Sequence, residues 1–240
     1  MIEPQTGAEL ADALASADAQ GHTIQLGGNF SKGRAGGPVA AAEAVISTRK
    51  LNRVLSYDPR DLTISVEAGL PWADLTRTLA EHRQMVPLDP PFGAQATVGG
   101  VIATNASGPR RRLYGTARDL IIGMQFATMA GKVAQSGGMV VKNVAGLDTG
   151  KLHIGAYGTL GAMAVVNFKV LPMPVETRTF VKECGTAKEA IAARDGLLEG
   201  LLQPLAVDLL SPKAAAACGL SNWCVLVEAG GNTALLDRYE

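Results

Sequence analysis

Three segments of this chain set glycine beside small polar residues: GGNFSKGRAGG (27–37), TVGGVIATNASG (97–108) and GAYGTLG (155–161). Each reads as a Gly/Ser/Thr/Asn turn entered from a strand. Glycine makes up 28 of the 240 residues, well above the usual level of about 7%, while aromatic residues reach only 5%. An apolar chain built this way is expected to fold through tight turns and close backbone approaches. Bare N–H groups in such turns form concave anion sites, and Ser and Thr hydroxyls add donors at little steric cost. One such loop is usually a plain turn. Three in one chain, two of them long, point to a large phosphate-bearing cofactor.

The bulk properties narrow the partners. Hydrophobic residues reach 47% and charged residues 18%, the balance of a globular chain. Lys+Arg and Asp+Glu are equal at 22 each, so no global charge argues for nucleic acid or an acidic membrane surface. Cys184, Cys218 and Cys224 are odd in number and form no CxxC pair. A disulfide framework or a metal site is therefore not expected, and reduced cytoplasmic thiols are. The N-terminus lacks a basic and apolar leader, and no apolar run reaches the roughly 18 residues of a membrane span.

Local patterns place the elements. Thr6 and Glu9 form a capping-box signature, with Leu10, Ala13, Leu14 and Ala17 at helical spacing and an end near Gly21. Strands are expected at 22–26, 44–48 and 61–69, the last with Leu62, Ile64 and Val66 on one face. A helix follows over 71–82, with Pro71 in its first turn. Residues 119–138 read as two strands about an Ala-Gly turn, and 158–174 as a turn and a long apolar strand. Composition shifts at Pro172–Pro174. Beyond it a strand (177–182), a helix opened by Thr186 and Glu189, and two further strands suggest a small α+β domain. The chain stops as another helix starts, so that domain is expected to be partial.

The familiar nucleotide motifs are absent. GGNFSKG does not fit the dinucleotide fingerprint GxGxxG and leads to Pro38 rather than into a helix; MAGKVA lacks the first glycine and the hydroxyl residue of a phosphate-binding P-loop. Instead, VEAGLPWADLTRTLAEH (66–82), PFGAQATVGGVIATNASGPRRRLYGTARDLIIGM (91–124) and GGMVVKNVAGLDTGKLHIGAYGTLGAMAVV (137–166) resemble the PCMH-type FAD-binding domain of the vanillyl-alcohol-oxidase-like flavoproteins. The runs GPRRRLYGTARD and VVKNVAGLDTGKL narrow the resemblance to FAD-binding subunits of bacterial glycolate oxidases. It covers roughly residues 5–175.

The resemblance implies an α+β fold. Two α+β subdomains (1–174) grip an extended FAD, and a partial, ferredoxin-like cap (175–240) follows. It implies that Gly27, Gly28, Asn29, Ser31 and Lys32 form a first pyrophosphate loop. Thr97, Gly99 and Gly100 form a second, with Thr104, Ser107 and Gly108 near the pyrophosphate, ribityl chain or flavin ring. Gly158, Thr159, Gly161 and Val165 lie along the far end of the cofactor. The first loop departs from the Arg-Gly-Gly-Gly pattern of many relatives and holds no His or Cys, so FAD is expected to be noncovalent. Leu147 stands where an aromatic residue is expected.

No general base stands out among His22, His82 and His153, for which structural or surface roles are expected. Trp72 and Trp223 are expected in the core. Arg110 to Arg112 are either a solvated run or a source of one guanidinium for a substrate carboxylate or cofactor phosphate, with Arg110 the candidate. Lys142 is a candidate to stabilise a reduced flavin. Asp148 is read as a helix cap, and Arg118 with Asp119 as a local ion pair. By resemblance the activity is oxidation of a small 2-hydroxy acid, glycolate to glyoxylate. The implied assembly is a hetero-oligomer with a larger homologous flavoprotein subunit and an iron–sulfur subunit, cytoplasmic and at most peripheral to the inner face of the membrane through those partners. A stand-alone D-lactate-type dehydrogenase and a non-catalytic accessory FAD-binding subunit are the other readings.

Overall fold

The computed structural model describes residues 1–35, 37, 39–139 and 148–240. Lys142, Asn143 and Leu147, singled out above or in the run that carries the resemblance, lie outside the described residues. In chain order the elements are α1 (Gly7–Ala19), β1 (Ile24–Gly27), β2 (Ala44–Ser47), β3 (Val54–Asp58), β4 (Thr63–Glu67), α2 (Trp72–Ala80) and β5 (Gln84–Met85). Then come α3 (Val98–Ala103), α4 (Arg111–Tyr114), α5 (Ala117–Leu120), β6 (Ile121–Ala127), β7 (Val133–Gly137), β8 (Ala162–Lys169) and β9 (Leu171–Pro172). The last are β10 (Glu176–Cys184), α6 (Ala187–Glu199), β11 (Ala206–Leu210), α7 (Pro212–Ala217), β12 (Trp223–Gly231) and α8 (Thr233–Leu236).

The chain divides into two compact units. The first comprises 1–107 and 116–172, and the second 108–115 and 173–240. Within the first, an antiparallel sheet of order β3-β4-β8-β6-β7 is packed on both faces. One face meets α2 and α3 through Leu75, Leu79, Val98, Val101 and Ile102, packed on Ile64, Val66, Met124, Val166 and Phe168. The other meets α1 through Leu10 and Leu14, which join Ile46, Leu51 and Ala162. Parallel strands β1 and β2 form a separate two-stranded sheet.

The local chemistry explains these elements and corrects several expectations. Thr6 caps α1 by accepting from the Glu9 amide, but Glu9 closes on the amide of Gln5 rather than on Thr6. Thr186 and Glu189 repeat that arrangement, with Gly185 as donor. Leu62 does not share the face of Ile64 and Val66; it sits before β4 at φ 54°. All five β4 residues are buried, because the polar alternates also find partners. Ser65 donates to Asn167 at 2.7 Å, and Glu67 accepts from the Arg53 guanidinium at 2.8 Å. The turn region after Thr97 begins as a helix, α3, although two of its six residues are glycine. Each glycine weakens a helix by about 1 kcal/mol relative to alanine, which the complete burial of Val98, Val101 and Ile102 offsets.

The second unit has the sheet order β10-β12-β11, with β12 antiparallel to both neighbours. A β-α-β crossover with the third strand inserted between its two strands is the start of a ferredoxin-like sheet. Its core gathers Cys184, Ala190, Val225 and Val227, with Trp223 packed beside them.

Candidate cofactor-binding site

A cavity of about 560 Å³ opens in the first unit, and every residue lining it belongs to that unit. The volume falls within the roughly 300–1,000 Å³ of small-molecule sites. Three pieces of backbone build it: the 28–33 loop after β1, the helix α3, and the turn 157–161 before β8.

The first loop is held by its carbonyls. Ser47 Oγ donates to Gly28 O at 2.8 Å, and the Thr48 amide to Gly27 O at 2.9 Å. Asn29 Nδ2 donates to Gln95 O at 3.1 Å. Among the described residues, none of the amides from Gly28 to Lys32 has an acceptor; the next donors along the chain are Gly33, to Phe30 O, and Ala35, to Lys32 O. Lys32 adds a side-chain cation. Its Nζ is buried without a hydrogen-bond partner, and burial pushes its pKa below the ordinary lysine value. It is the only Lys, Arg, Asp or Glu on the described lining.

The second loop is different. Thr97 caps α3, accepting from the Gly100 amide at 3.3 Å. The Val98 amide donates to Leu70 O at 2.9 Å and the Gly99 amide to Ala68 O at 2.6 Å. Thr104 Oγ1 donates back to Gly100 O at 2.8 Å. The first turn of α3 is thus already hydrogen-bonded within the protein, and it supplies a wall rather than a set of open donors. The third segment is tied to the far end of the same helix, where the Gly155 and Tyr157 amides donate to Ile102 O and Ala103 O at 3.1 and 2.8 Å. Thr159 Oγ1 donates to Ala156 O at 2.7 Å.

A match to the family model described as FAD binding domain spans residues 1–137. The chain belongs to this FAD-binding domain family. It is 36% identical to the glycolate oxidase subunit GlcE of Escherichia coli over 185 residues, 77% of this chain and 51% of that one. It is 33% identical to D-lactate dehydrogenase [cytochrome] 1, mitochondrial, of Saccharomyces cerevisiae, over 77% of this chain and 30% of that one. The chain spans about half the length, or less, of these relatives. Among solved structures, an alkyldihydroxyacetonephosphate synthase superposes with a TM-score of 0.81 at 20% identity, over 99% of this chain and 49% of that one, a likeness of fold.

The residues present fit FAD. An elongated dinucleotide with a diphosphate needs a roomy, largely apolar cleft with anion-binding donors at one place. The loop 28–32 supplies unengaged amides and an unpartnered ammonium there. Of the residues expected in the site of this FAD-binding domain, Gly27, Gly28, Asn29, Ser31 and Lys32 line the cavity through the first loop. Thr97, Gly99, Gly100 and Thr104 line it from α3, and Gly158, Thr159 and Gly161 from the third turn.

Ser107, Gly108 and Val165 are not on the described lining. Gly108 belongs to the second unit. Val165 packs instead with the cluster around Leu10 and Ile46. Its place is taken by Met163, because the β6–β8 register shifts between Gln125 and Phe126, which pair with Val165 and Met163. Ala164 is thus an extra residue, and it reverses the facing of everything before it. Sequence reasoning also missed Phe30 and Tyr157, the aromatic residues of the lining, held at φ 54° and 53°. Left-handed non-glycine residues of this kind gather at functional sites; no local pattern in the sequence marks them.

Arg110 lies in the second unit, where its guanidinium grips Glu228 with contacts of 3.1 and 2.8 Å. Arg112 reaches Gln203 at 3.4 Å. The expected Arg118–Asp119 pair is not among the described ion pairs; Asp119 instead completes a capping box with Thr116, accepting at 2.8 Å. Asp148 occupies the cap position of the 149–153 turn without accepting an amide there; it accepts from Ser136 Oγ at 3.3 Å and pairs with Lys151 at 3.1 Å. His153 is buried with its ring 4.0 Å from that of Phe126, and desolvation pushes its pKa down. Among the described residues no group of three His, Cys, Asp or Glu is placed to hold a metal ion, and no helix is long and apolar enough to cross a membrane.

Proposed function

We propose that this chain is the FAD-binding component of a 2-hydroxy-acid-oxidising enzyme of the glycolate oxidase type, holding FAD noncovalently. The observation that carries this reading is the cavity itself, with open donors and one unpartnered cation concentrated on the 28–32 loop. The likeness to a glycolate oxidase subunit and to a D-lactate dehydrogenase supports the substrate class. When bound, FAD supplies a hydride acceptor for the α-carbon of the hydroxy acid. The chain's own share is to bind and orient. Loop 28–32 holds the charged end, α3 and Met163 form the wall, and Phe30 and Tyr157 add aromatic surface to the lining. The described lining offers no His, Cys, Asp or Glu atom aimed at a substrate proton, and no step is assigned to one.

That composition favours a second reading, in which the chain binds FAD but leaves oxidation to a larger homologous flavoprotein subunit, with an iron–sulfur subunit carrying electrons away. In either case the complex is cytoplasmic, touching a membrane only through its partners. The test is anaerobic addition of glycolate or D-lactate to the purified flavin-loaded chain. Bleaching of the flavin absorbance supports the first reading. Bleaching only after the partner subunits are added supports the second. A purified chain that neither contains nor binds FAD overturns both.

A further inference from the structure

We infer that strand β10 of the second unit is an interaction edge whose occupant is a second copy of this chain, paired antiparallel across a two-fold axis at Thr179. No residue of β10 lines the cavity, and the inference stands apart from the FAD reading.

The strand runs for nine residues and pairs residue by residue with β12, without a register shift. Since β12 takes β11 on its other side, β10 is outermost in this sheet among the described residues. Its outward N–H and C=O groups are a template for a further strand. Several usual devices against such pairing are missing: ETRTFVKEC is not short, holds no proline or glycine and carries no bulge. The two faces of the strand differ. Phe180 and Cys184 pack into the core of the second unit, where the Phe180 ring lies 5.7 Å from that of Tyr239. The opposite face presents Thr177, Thr179, Val181 and Glu183, all exposed, with Val181 at 45%. A stripe of three β-branched residues on an open edge gains cross-strand partners only from another strand.

The charges of the strand choose the occupant. Two copies paired about a two-fold axis keep their core-facing sides together only in registers that set residues of like facing opposite each other. Centred on Phe180, the pairing sets Arg178 against Lys182 at both ends; centred on Arg178, it sets the two Arg178 side chains together. Centred on Thr179, it sets Glu176 against Lys182 at both ends, Thr177 against Val181, Arg178 against Phe180, and Thr179 against its own copy. Unlike charges and β-branched pairs are favourable directly across two strands, and like charges are unfavourable. Arg178 is already held by Glu176 and Asp237 at 3.0 and 2.8 Å, whereas Lys182 is exposed. The strand is thus complementary to its own copy in this register, the condition for an isologous interface.

The experiment is sedimentation of the purified chain, joined to oxidative cross-linking of single cysteines in a Cys218→Ser background, since Cys218 is the exposed native thiol. The wild type is expected to pass from monomer to dimer between about 1 and about 100 μM, as suits a small edge contact. Thr179→Lys sets two ammonium groups together at the axis, and Lys182→Glu sets carboxylates against Glu176, so each raises the dissociation constant about tenfold. Ile191→Lys, at an exposed position of α6, leaves it unchanged. Thr179→Cys links into a dimer alone, because directly opposed strand residues lie within disulfide reach, whereas Thr177→Cys and Val181→Cys link only when mixed. A monomer at every concentration overturns the inference, as does a dimer that Thr179→Lys leaves intact or that links through no cysteine pair of this register. A chain that stays monomeric alone, while its Thr179→Cys form links to an added partner subunit, assigns the edge to that subunit and overturns the second copy as occupant.

Discussion

A side chain on Gly28 would collide with the hydroxyl and methyl of Thr97, and one on Gly27 would come within 2.5 Å of the Phe30 ring. These glycines make room for protein, not only for ligand. Gly28→Ala is therefore expected to destabilise the flavin-free chain by about 1–3 kcal/mol, the usual range for overpacking, measured by urea unfolding without cofactor. An unchanged midpoint with weakened FAD binding would mean that the ligand alone needs the space. His153 carries a pH prediction. Its folded pKa is depressed by burial, so the unfolded chain takes up a proton that the folded chain resists. The stability of the neutral ring is intact above the ordinary histidine value near 6.5 and declines as pH falls below it. The unfolding midpoint should drop between about pH 7.5 and about pH 5.5, and His153→Gln should reduce that drop. Of the residues that the resemblance implied, twelve share the described cavity lining, while Ser107, Gly108 and Val165 do not. The sequence did not show that Lys32 lacks a partner or that Arg110 has one in Glu228, because both facts depend on residues brought together by the fold.

Elements whose signals are local were the legible ones. The periodic apolar face of α1 and the Ala-Gly turn between β6 and β7 needed only neighbouring residues. Three features were not legible for the opposite reason. The helix α3 runs against the propensity of its glycines; its Val98, Val101 and Ile102 are fully buried, and Gly99 lets it lie close to Ala68, where a Cβ would sit 3.0 Å away. Strand β3 is largely exposed and lacks the alternation that marks a strand. The extra residue Ala164 in β8 is set by pairing with β6, and it turns Met163 to the face opposite Val165, so that Met163 and not Val165 lines the cavity. The cap of α3 gives a test at this scale. Thr97→Ala removes the acceptor for the Gly100 amide and should cost about 1 kcal/mol of stability, read by thermal unfolding. Because Thr97 also fills the space beside Gly28, loss of both contacts should loosen the first loop and weaken FAD binding together with stability.

The whole molecule consists of two units with separate cores, and they make separate predictions. The Arg110–Glu228 pair belongs to the second unit, with both side chains 25% exposed. Arg110→Met is expected to destabilise that unit by about 1–2 kcal/mol, between the values for exposed and buried pairs, while FAD affinity stays at the wild-type value. A selective loss of FAD affinity would instead restore Arg110 as a cofactor or substrate ligand. The resemblance carried by GPRRRLYGTARD led to the family, yet in the structure Arg110 to Arg112 of that run serve the second unit rather than the cavity lining. Whether the first unit is an FAD site is tested by a calorimetric titration of the flavin-free chain with FAD. Saturable binding of one FAD per chain is expected, with the flavin released intact when the protein is denatured with acid. Absence of binding heat up to the solubility limit, or flavin that remains with the denatured protein, would contradict it.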